Sequence, residues 1–345
     1  MRTIIFPPMI DWDWMTQRPQ QLMKQFARSG CRVFYCNRTS LSGQKVLMLP
    51  GEPGLQIVYD HERWLREDYA HIRASSSEVI VWCSKPDLAA SLNRYEPDTV
   101  IYDCVDDLPQ WYAEEETMVR LADGIVCTSA RLDKRLSRRY PDKPRLLLRN
   151  GYDEDMGLHV TGLRDERMTM PGDLPSGEKP LIGFVGAWAP WVDAALLSRI
   201  AHMRDIDWEV VVIGAELGRR YELAHLPNIH YLGQRPHREL AAYIAMLDIC
   251  LVPFLPQQVT LAANPVKVYE YLAAGKPVVS TDLPECREMG EVVEVGRNHD
   301  EVLELIARRL KEPGSADPRR GYALCNSWRQ RAETGLVWLE QLRGS

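Results

Sequence analysis

The chain has 345 residues, of which 45% are hydrophobic and 26% are charged, and its formal net charge is −6. This length predicts two domains, and the near-average composition excludes a disordered or low-complexity chain. The acidic balance argues against a general nucleic-acid binder, because such binding depends on neutralising phosphates with Lys and Arg. No apolar run reaches the ~18 residues that a membrane span needs.

The start of the chain and its cysteines indicate a cytoplasmic protein. The apolar run that begins at Ile4 is short and is broken by Pro7 and Pro8, unlike a secretory signal. The eight cysteines include no Cys-x-x-Cys pair, so we expect reduced, mostly buried thiols rather than a metal site. Five of them lie in or at the ends of apolar runs: Cys36, Cys83, Cys104, Cys127 and Cys250.

In the first half of the chain, short apolar runs alternate with longer mixed segments, as in a parallel sheet with helical crossovers. One helix is predicted after Thr16, with Pro19 near its first turn. Another is predicted to begin at Thr128 or Ser129, which are good N-cap residues. The predicted strands of this half contain residues 4–6, 33–35, 79–82, 100–102, 125–127 and 146–148.

The apolar runs stop between residues 155 and 180, and the stretch 171–180 is rich in Pro and Gly, so we predict a linker there. The alternation then resumes, which predicts an α/β fold with two Rossmann-like, doubly wound domains, 1–165 and 178–326, that face a cleft. The last segment is predicted to be a helix with an apolar stripe of Trp328, Ala332, Leu336 and Leu339. The strands of the second half are predicted at 182–185, 208–213, 229–232, 249–252, 278–279 and 292–293.

The segment 264–279 carries the strongest chemical signal. Asn264 can cap a helix whose first position is Pro265, and a helix start at the carboxyl edge of a sheet favours an anion. Lys267 and Glu270 are three residues apart and share one helical face, so the cation would lie near the anion and the carboxylate could accept hydrogen bonds from a ribose diol. The same spacing is also that of an ordinary amphipathic helix with a solvated Lys/Glu pair.

This segment resembles the nucleotide-sugar signature of GT-B glycosyltransferases, Pro-x-Lys-x-x-Glu-Tyr-x-Ala-x-Gly-x-Pro-Val-Val. The chain is similar over most of its length to bacterial transferases that build teichuronic acid and exopolysaccharides. The resemblance implies a GT-B fold in which Glu270 binds the ribose and Lys267 the phosphates. It also implies that the last helix, within 327–345, crosses back onto the N-terminal domain. The other segments that carry the resemblance are 18–21, 102–107, 122–129, 150–153, 183–186, 191–193 and 327–328.

Two further positions extend the predicted nucleotide site, and one departs from the family pattern. The glycine turn at Gly186 suits close approach of backbone to a diphosphate. Arg235, after the strand that ends near Gly233, is equally a phosphate ligand or a surface charge. Many relatives carry a Glu eight positions before the ribose Glu, where this chain has Ala262, so the sugar pocket must be built differently. Candidates are Gln257, Gln258 and Thr260.

Asp103, Asp106 and Asp107 form an acidic loop after the strand 100–102. Burial and mutual repulsion raise a carboxyl pKa, and such a group can act as a general base toward an acceptor hydroxyl. The loop resembles that of an inverting, xanthan-type glucuronosyltransferase, in which Asp106 matches the catalytic Asp. The alternative is a turn whose Asp side chains bind local backbone, and we expect that of Asp103.

The segment 11–19 is predicted to meet the acceptor. Trp14 could stack on a sugar ring, and Arg18 could hold a phosphate or carboxylate. Trp12 and Trp14 could equally pin the loop to the core. Arg18 opens a helix, where a bare surface cation is electrostatically disfavoured, which favours a functional role.

Residues 131–149 hold eight basic and two acidic side chains. The spacing of Arg131, Lys134, Arg135 and Arg138 predicts a basic helical stripe, which could contact anionic lipid headgroups or be a solvated face. The eight histidines are scattered, so no metal site is expected, and the helix start with Lys267 already supplies positive charge for a leaving diphosphate.

Together these features predict a metal-independent, cytoplasmic glycosyltransferase without a cofactor, peripheral on the membrane if the stripe binds lipid. It would move a sugar from a nucleotide diphosphate sugar to a saccharide or lipid-linked saccharide, with inversion and Asp106 as base. UDP is favoured only because it is the commonest donor nucleotide among similar enzymes. The alternatives are a retaining GT-B transferase without a protein base, a non-catalytic nucleotide-sugar-binding protein, and a nucleotide-sugar epimerase. A retaining enzyme would be recognised by the stereochemistry of its product, and a non-catalytic protein by the absence of any turnover. An epimerase would interconvert nucleotide sugars without an acceptor.

Overall fold

The computed structural model describes residues 1–41, 43–160, 171–203 and 207–344. The chain divides into two compact units: unit 1 comprises Met1–Asn150 and Trp328–Ser345, and unit 2 comprises Gly151–Ser327. Unit 1 ends before the predicted boundary at residue 165, because Tyr152 and Leu158 are fully buried in the core of unit 2. Residues 161–170, which precede the predicted linker at 171–180, lie outside the described residues.

Among its described residues, unit 1 contains an eight-stranded sheet in the order β3-β4-β2-β1-β5-β6-β7-β8, in which only the β3–β4 pair is antiparallel. Every residue of β5 and β6 is buried, as the continuous apolar runs predict for the centre of a parallel sheet. The edge strand β3 and its neighbour β4 were not predicted, since their apolar runs are short and β3 is mostly exposed. The strands are β1 (Arg2–Phe6), β2 (Arg32–Cys36), β3 (Val46–Met48), β4 (Leu55–Val58), β5 (Glu78–Cys83), β6 (Thr99–Cys104), β7 (Gly124–Cys127) and β8 (Arg145–Leu147).

The helices of unit 1 begin where capping residues stand. The first begins at Arg18, where Gln17 and Gln20 form a capping box. The fifth begins after Ser129, whose hydroxyl accepts a hydrogen bond from the Leu132 N–H at 3.3 Å, as predicted. The helices are α1 (Arg18–Arg28), α2 (His61–Glu67), α3 (Tyr69–Ser75), α4 (Tyr112–Leu121) and α5 (Ala130–Arg139), with 3-10 segments at Pro86–Tyr95 and Pro109–Trp111.

The described residues of unit 2 contain a six-stranded parallel sheet in the order β11-β10-β9-β12-β13-β14, the doubly wound Rossmann order. The predicted strand at 292–293 is wrong: Gly290 has a φ of 64° and turns the chain into a 3-10 segment, Gly290–Val292, before β14. The strands are β9 (Leu181–Val185), β10 (Glu209–Ile213), β11 (Ile229–Gly233), β12 (Ile249–Val252), β13 (Val278–Thr281) and β14 (Glu294–Gly296). The helices are α6 (Ala194–Ala201), α7 (Leu240–Met246), α8 (Gln258–Leu261), α9 (Val266–Ala273), α10 (Pro284–Arg287), α11 (His299–Lys311) and α12 (Asp317–Leu324), with 3-10 segments at Glu154–Met156 and His237–Glu239.

The last helix, α13 (Trp328–Arg343), returns to unit 1 and packs against α1. Trp338 lies over β7, where a Cβ on Gly124 would be 2.5 Å from the Trp338 ring, so glycine is needed there for the helix to dock. Leu336, predicted in the apolar stripe, is only partly buried, and Gly335 and Trp338 take its place. None of the described helices is both long and apolar enough to cross a membrane.

Candidate functional site

Glycines end three neighbouring strands of unit 2 at the carboxyl edge of its sheet. The Gly186 N–H donates to the Ile213 carbonyl at 2.8 Å, and the Gly214 N–H donates to the Gly233 carbonyl at 2.9 Å. A Cβ on Gly214 would be 1.8 Å from the Gly186 carbonyl oxygen, and one on Gly186 would be 2.8 Å from the Phe184 ring. A side chain is therefore excluded at Gly214 by backbone and disfavoured at Gly186 by the Phe184 ring, so backbone lines this part of the sheet edge. Gly214 was not predicted, because an isolated Gly after a strand is a weak signal.

Lys267 and Glu270 are in contact on α9. The Lys267 Nζ lies 2.9 Å from Glu270 Oε2 and 3.1 Å from Oε1. His237, just after the end of β11, places its Nε2 3.2 Å from the same Oε1, and Glu270 is buried. Sequence reasoning missed His237, whose only signal is its position shortly after the end of a strand. Glu270 is therefore enclosed by a cation and an imidazole at the carboxyl edge of the sheet.

These neighbours keep Glu270 ionised. Burial by itself raises the pKa of the Glu270 carboxyl, but the charge of Lys267 and the hydrogen bond from His237 outweigh burial and lower that pKa below its usual value. A carboxylate in this state offers acceptor oxygens and no proton, which suits it to bind a diol rather than to exchange protons.

Asn264 does not cap α9, contrary to prediction: the N-cap position is Pro265, and no side chain caps it. The Asn264 amide is buried, donates to Glu285 Oε2 at 3.0 Å and accepts from the Tyr269 hydroxyl at 3.1 Å. These bonds fix the approach of the chain to α9.

Tyr271 joins α9 to the strand that precedes the Gly186 turn. Its hydroxyl accepts a hydrogen bond from the Val185 N–H at 2.8 Å and lies 3.3 Å from the Val185 carbonyl. The ring is fully buried. The spacing between the helix and the glycine turn is thus set by one side chain.

The other residues predicted near the nucleotide have structural partners. The Arg235 guanidinium is paired with Asp173 and donates to the Tyr243 hydroxyl at 3.0 Å. The Thr260 hydroxyl is buried and accepts from the Gln257 N–H at 3.0 Å, so it closes the turn before α8 instead of lining a pocket. Gln257 and Gln258 are exposed.

In unit 1, the outer two carboxylates of the acidic loop are neutralised by arginines. Asp103, at the end of β6, receives Arg18 Nε at 2.8 Å and Nη2 at 2.9 Å, with Trp82 Nε1 at 3.0 Å. Asp107 accepts from the Tyr112 hydroxyl at 2.6 Å and lies 3.2 Å from Arg135 Nε. The prediction that Asp103 binds local backbone is wrong, because its carboxylate is bound by the Arg18 guanidinium and the Trp82 indole N–H.

Asp106 lies between these two pairs and differs from both. Among the residues that the structure describes, none forms a hydrogen bond or an ion pair with its carboxylate. Desolvation by the surrounding protein raises the pKa of Asp106 to about 6. A carboxyl with that pKa is mostly ionised at neutral pH yet accepts a proton readily, as a general base must.

Arg18, predicted to bind an acceptor, is instead part of the core of unit 1. Besides Asp103, its Nη1 donates to the Leu148 carbonyl at 2.9 Å and lies 3.2 Å from Asn150 Oδ1. Its exposed fraction is 4%. The guanidinium is therefore occupied by protein groups, which corrects the prediction.

The two tryptophans of the loop after β1 differ in burial. The Trp12 ring packs edge-on against Tyr35 with centroids 5.1 Å apart, and the backbone N–H of Trp12 donates to Asn37 Oδ1 at 2.9 Å. Trp14 is 53% exposed. Trp12 thus anchors the loop, and Trp14 is the aromatic side chain that remains accessible to a ligand.

The basic stripe of α5 is divided. Arg135 is not solvated but binds Glu115 of α4 through Nη1 at 2.6 Å and Nη2 at 2.7 Å. Arg131, Lys134 and Arg138 are exposed. In the described part of the chain, no cluster of three or more His, Cys, Asp or Glu could hold a metal ion.

Comparison with known proteins is consistent with this architecture. Residues 179–311 match the family described as Glycosyl transferases group 1. The chain is 25% identical over 304 residues to TuaH of Bacillus subtilis (strain 168), named for a glycosyltransferase of teichuronic acid biosynthesis, with 80% of this chain and 73% of TuaH covered.

Two solved structures share the fold. Sucrose-phosphate synthase from Thermosynechococcus elongatus is 14% identical, with a TM-score of 0.73 and both chains covered completely. Anabaena HepE, solved in complex with UDP, is 12% identical, with a TM-score of 0.64 and 99% and 100% of the two chains covered. The chain is therefore a glycosyltransferase with a GT-B fold and a group 1 domain in unit 2, which confirms the predicted enzyme class.

The buried ion pair of unit 1 can be tested directly. Arg18→Met should lower the free energy of unfolding by about 3–5 kcal/mol, because Asp103 would stay buried without its cation. The double variant Arg18→Met/Asp103→Leu should recover much of that loss, as measured by urea denaturation. If Arg18→Met kept its stability but bound the acceptor more weakly, the result would support the prediction that Arg18 binds the acceptor.

Proposed function

We propose that this glycosyltransferase moves a sugar from a nucleotide diphosphate sugar, with UDP favoured, to a saccharide or lipid-linked saccharide in cell-surface polysaccharide biosynthesis. The group 1 domain, the relationship to TuaH and the UDP complex of HepE support this assignment. The observation that carries it is the Lys267–Glu270–His237 cluster beside the glycine edge of unit 2.

The donor site is proposed around the start of α9. Glu270 accepts hydrogen bonds from the ribose hydroxyls. The Lys267 ammonium has three donors, so it retains its hydrogen bond to Glu270 and also donates to a phosphate oxygen. The backbone at Gly186 approaches the diphosphate. Asn264 holds the segment before the helix, and we leave Arg235 out of the site because Asp173 already neutralises it. Since Lys267 offsets the charge of the leaving group, we propose that no divalent cation or other cofactor is needed.

The acceptor is proposed to be activated in unit 1. The Asp106 carboxylate removes the proton from an acceptor hydroxyl, and the oxygen attacks the anomeric carbon of the donor. The bond from that carbon to the phosphate oxygen breaks, and the nucleoside diphosphate leaves with the electron pair, so configuration inverts. Trp14 offers its exposed ring to the acceptor sugar. A retained anomer in the product would instead favour the retaining alternative.

Asp106→Asn should reduce transfer by roughly 10²–10⁴-fold, because asparagine cannot accept the proton, while nucleotide affinity stays unchanged. In the wild-type enzyme the rate should fall as pH drops through about 6, since protonation removes the base. Product formation and calorimetric UDP binding measure the two properties. Near-normal turnover of Asp106→Asn would refute the assigned base.

Saturating nucleotide should stabilise unit 2. At 100 times its dissociation constant, UDP adds roughly 2.7 kcal/mol, which raises the melting temperature by several degrees. Glu270→Gln and Lys267→Gln should weaken this shift, because the ribose acceptor or the phosphate cation is lost.

The matched control for this experiment is Lys179→Gln. Lys179 forms an exposed ion pair with Asp207 and precedes β9, at the opposite end of the sheet. Its variant should keep the full UDP-dependent shift. Equal shifts in all three variants would place the nucleotide elsewhere, and GDP and dTDP in parallel would test the choice of base.

We also propose that the exposed part of the basic stripe contacts an anionic membrane. Arg131, Lys134 and Arg138 lie on one face of α5, opposite the buried Leu132 and Leu136. Each basic residue near an anionic surface contributes about 1 kcal/mol, so changing all three to Gln should weaken co-sedimentation with phosphatidylglycerol vesicles by roughly 100-fold.

A control variant removes the same number of charges from exposed arginines of the α2 region, Arg63, Arg66 and Arg94. That variant should sediment like the wild type at physiological salt. Equal loss in both variants, or no binding by the wild type, would show that the stripe is only a solvated face.

A further inference from the structure

The inference concerns how Arg135 is connected to the acidic loop. Arg135 extends from α5 to two buried carboxylates on other segments of unit 1. Its Nη atoms bind Glu115 at 2.6 and 2.7 Å, and its Nε lies 3.2 Å from Asp107 Oδ1. The guanidinium is also stacked over the Tyr112 ring, 5.0 Å from its centroid, and Tyr112 itself donates to Asp107. One cation thus serves two carboxylates that burial would otherwise destabilise.

The same guanidinium is connected to the Asp106 backbone through the Cys104 thiol. Arg135 Nη2 lies 3.7 Å from the Cys104 sulfur, and that thiol lies 3.9 Å from the Asp106 carbonyl oxygen. The Thr128 hydroxyl donates to the Val105 carbonyl at 3.1 Å, which holds the next peptide of the loop. The Asp106 backbone is therefore fixed from the sides of α5 and β7, while its carboxylate is left without a partner among the described residues.

Arg135 sets the balance of charge on one side of the acidic loop. On the side of α4 and α5, Asp107 and Glu115 contribute two negative charges and Arg135 one positive charge; on the side of α1, Asp103 and Arg18 cancel. Without Arg135, two uncompensated carboxylates would face the loop, and the ionised form of Asp106 would be disfavoured. The titratable and charged groups on the surrounding described elements include Arg18, Tyr102, Asp103, Cys104, Asp107, Tyr112, Glu115 and Arg135.

We propose that Arg135 is a positioning residue for the transfer reaction: it holds the acidic loop in place and neutralises Asp107, so that Asp106 alone accepts the acceptor proton. This inference rests on the proposed function, in which Asp106 is the base. Arg135 itself touches no substrate in this proposal. This positioning role replaces the predicted role of Arg135 as a lipid-facing cation.

The test is an Asp106 titration followed by ¹³C NMR, with the resonance assigned by Asp106→Asn, together with the pH profile of kcat. Arg135→Gln should raise the Asp106 pKa and move the acidic limb of the profile by about one pH unit upward, because a compensating charge is removed. Arg135→Lys keeps the charge and should restore the pH profile, with kcat still below the wild type because lysine cannot bridge both carboxylates.

Asp107→Asn should act in the opposite direction and lower the Asp106 pKa, and it carries the test if Arg135→Gln fails to fold. The matched control is Arg120→Gln, which removes an exposed arginine of α4 that is paired with Glu116 and should leave the titration unchanged. An unchanged Asp106 titration in folded Arg135→Gln, or in Asp107→Asn, would overturn the inference. The proposed function fails separately, if Asp106→Asn keeps its turnover, because the titration does not depend on transfer.

Discussion

Desolvation of carboxylates at the carboxyl ends of parallel strands is the constraint on which both candidate sites depend. A parallel sheet buries its strands on both faces and brings their carboxyl ends to one edge, so polar residues there lose water and need protein partners. Asp103, Asp107 and Glu270 meet this need with cations. Asp106 does not, and its raised pKa is the result. Among the described residues of this loop, Asp106 is thus the carboxylate that has no ion-pair partner.

The two units use the sheet edge in different ways. Unit 2 presents backbone there, because a Cβ on Gly186 or Gly214 would lie too close to its neighbours, and the buried Glu270 carboxylate is kept ionised by Lys267 and His237. Unit 1 presents carboxylates, which are stabilised by the buried Arg18 and the partly buried Arg135. An edge of bare backbone with a cation suits phosphates, whereas an edge with an unpaired carboxylate suits removal of a proton.

Arg18 and Arg135 show that a basic side chain drawn into the protein pairs with carboxylates of other segments. Arg18 was predicted to bind the acceptor, and Arg135 was predicted to face lipid or solvent. The sequence around a basic residue on a helix does not identify an ion-pair partner that is distant in the chain. Arg18 meets Asp103, which is 85 positions away in the chain, and Arg135 meets Glu115, which is 20 positions away. The energetic reason is the same for both, since a buried guanidinium is tolerated only where its donors are occupied.

The GT-B fold was implied by the resemblance of the motifs to that family, whereas the residues themselves determined the α/β class, most strands and helices, and the spacing that brings Lys267 and Glu270 into contact. Those features are local: apolar runs, capping residues and i, i+3 spacing act over a few residues. Only the tertiary structure decided that the Asp106 carboxylate has no partner among the described residues, that His237 contacts Glu270, that Thr260 closes a turn, and that the first segment of unit 1 ends at Asn150. These outcomes depend on which distant groups compete for the same buried donors and acceptors, and that competition is settled when the sheets assemble.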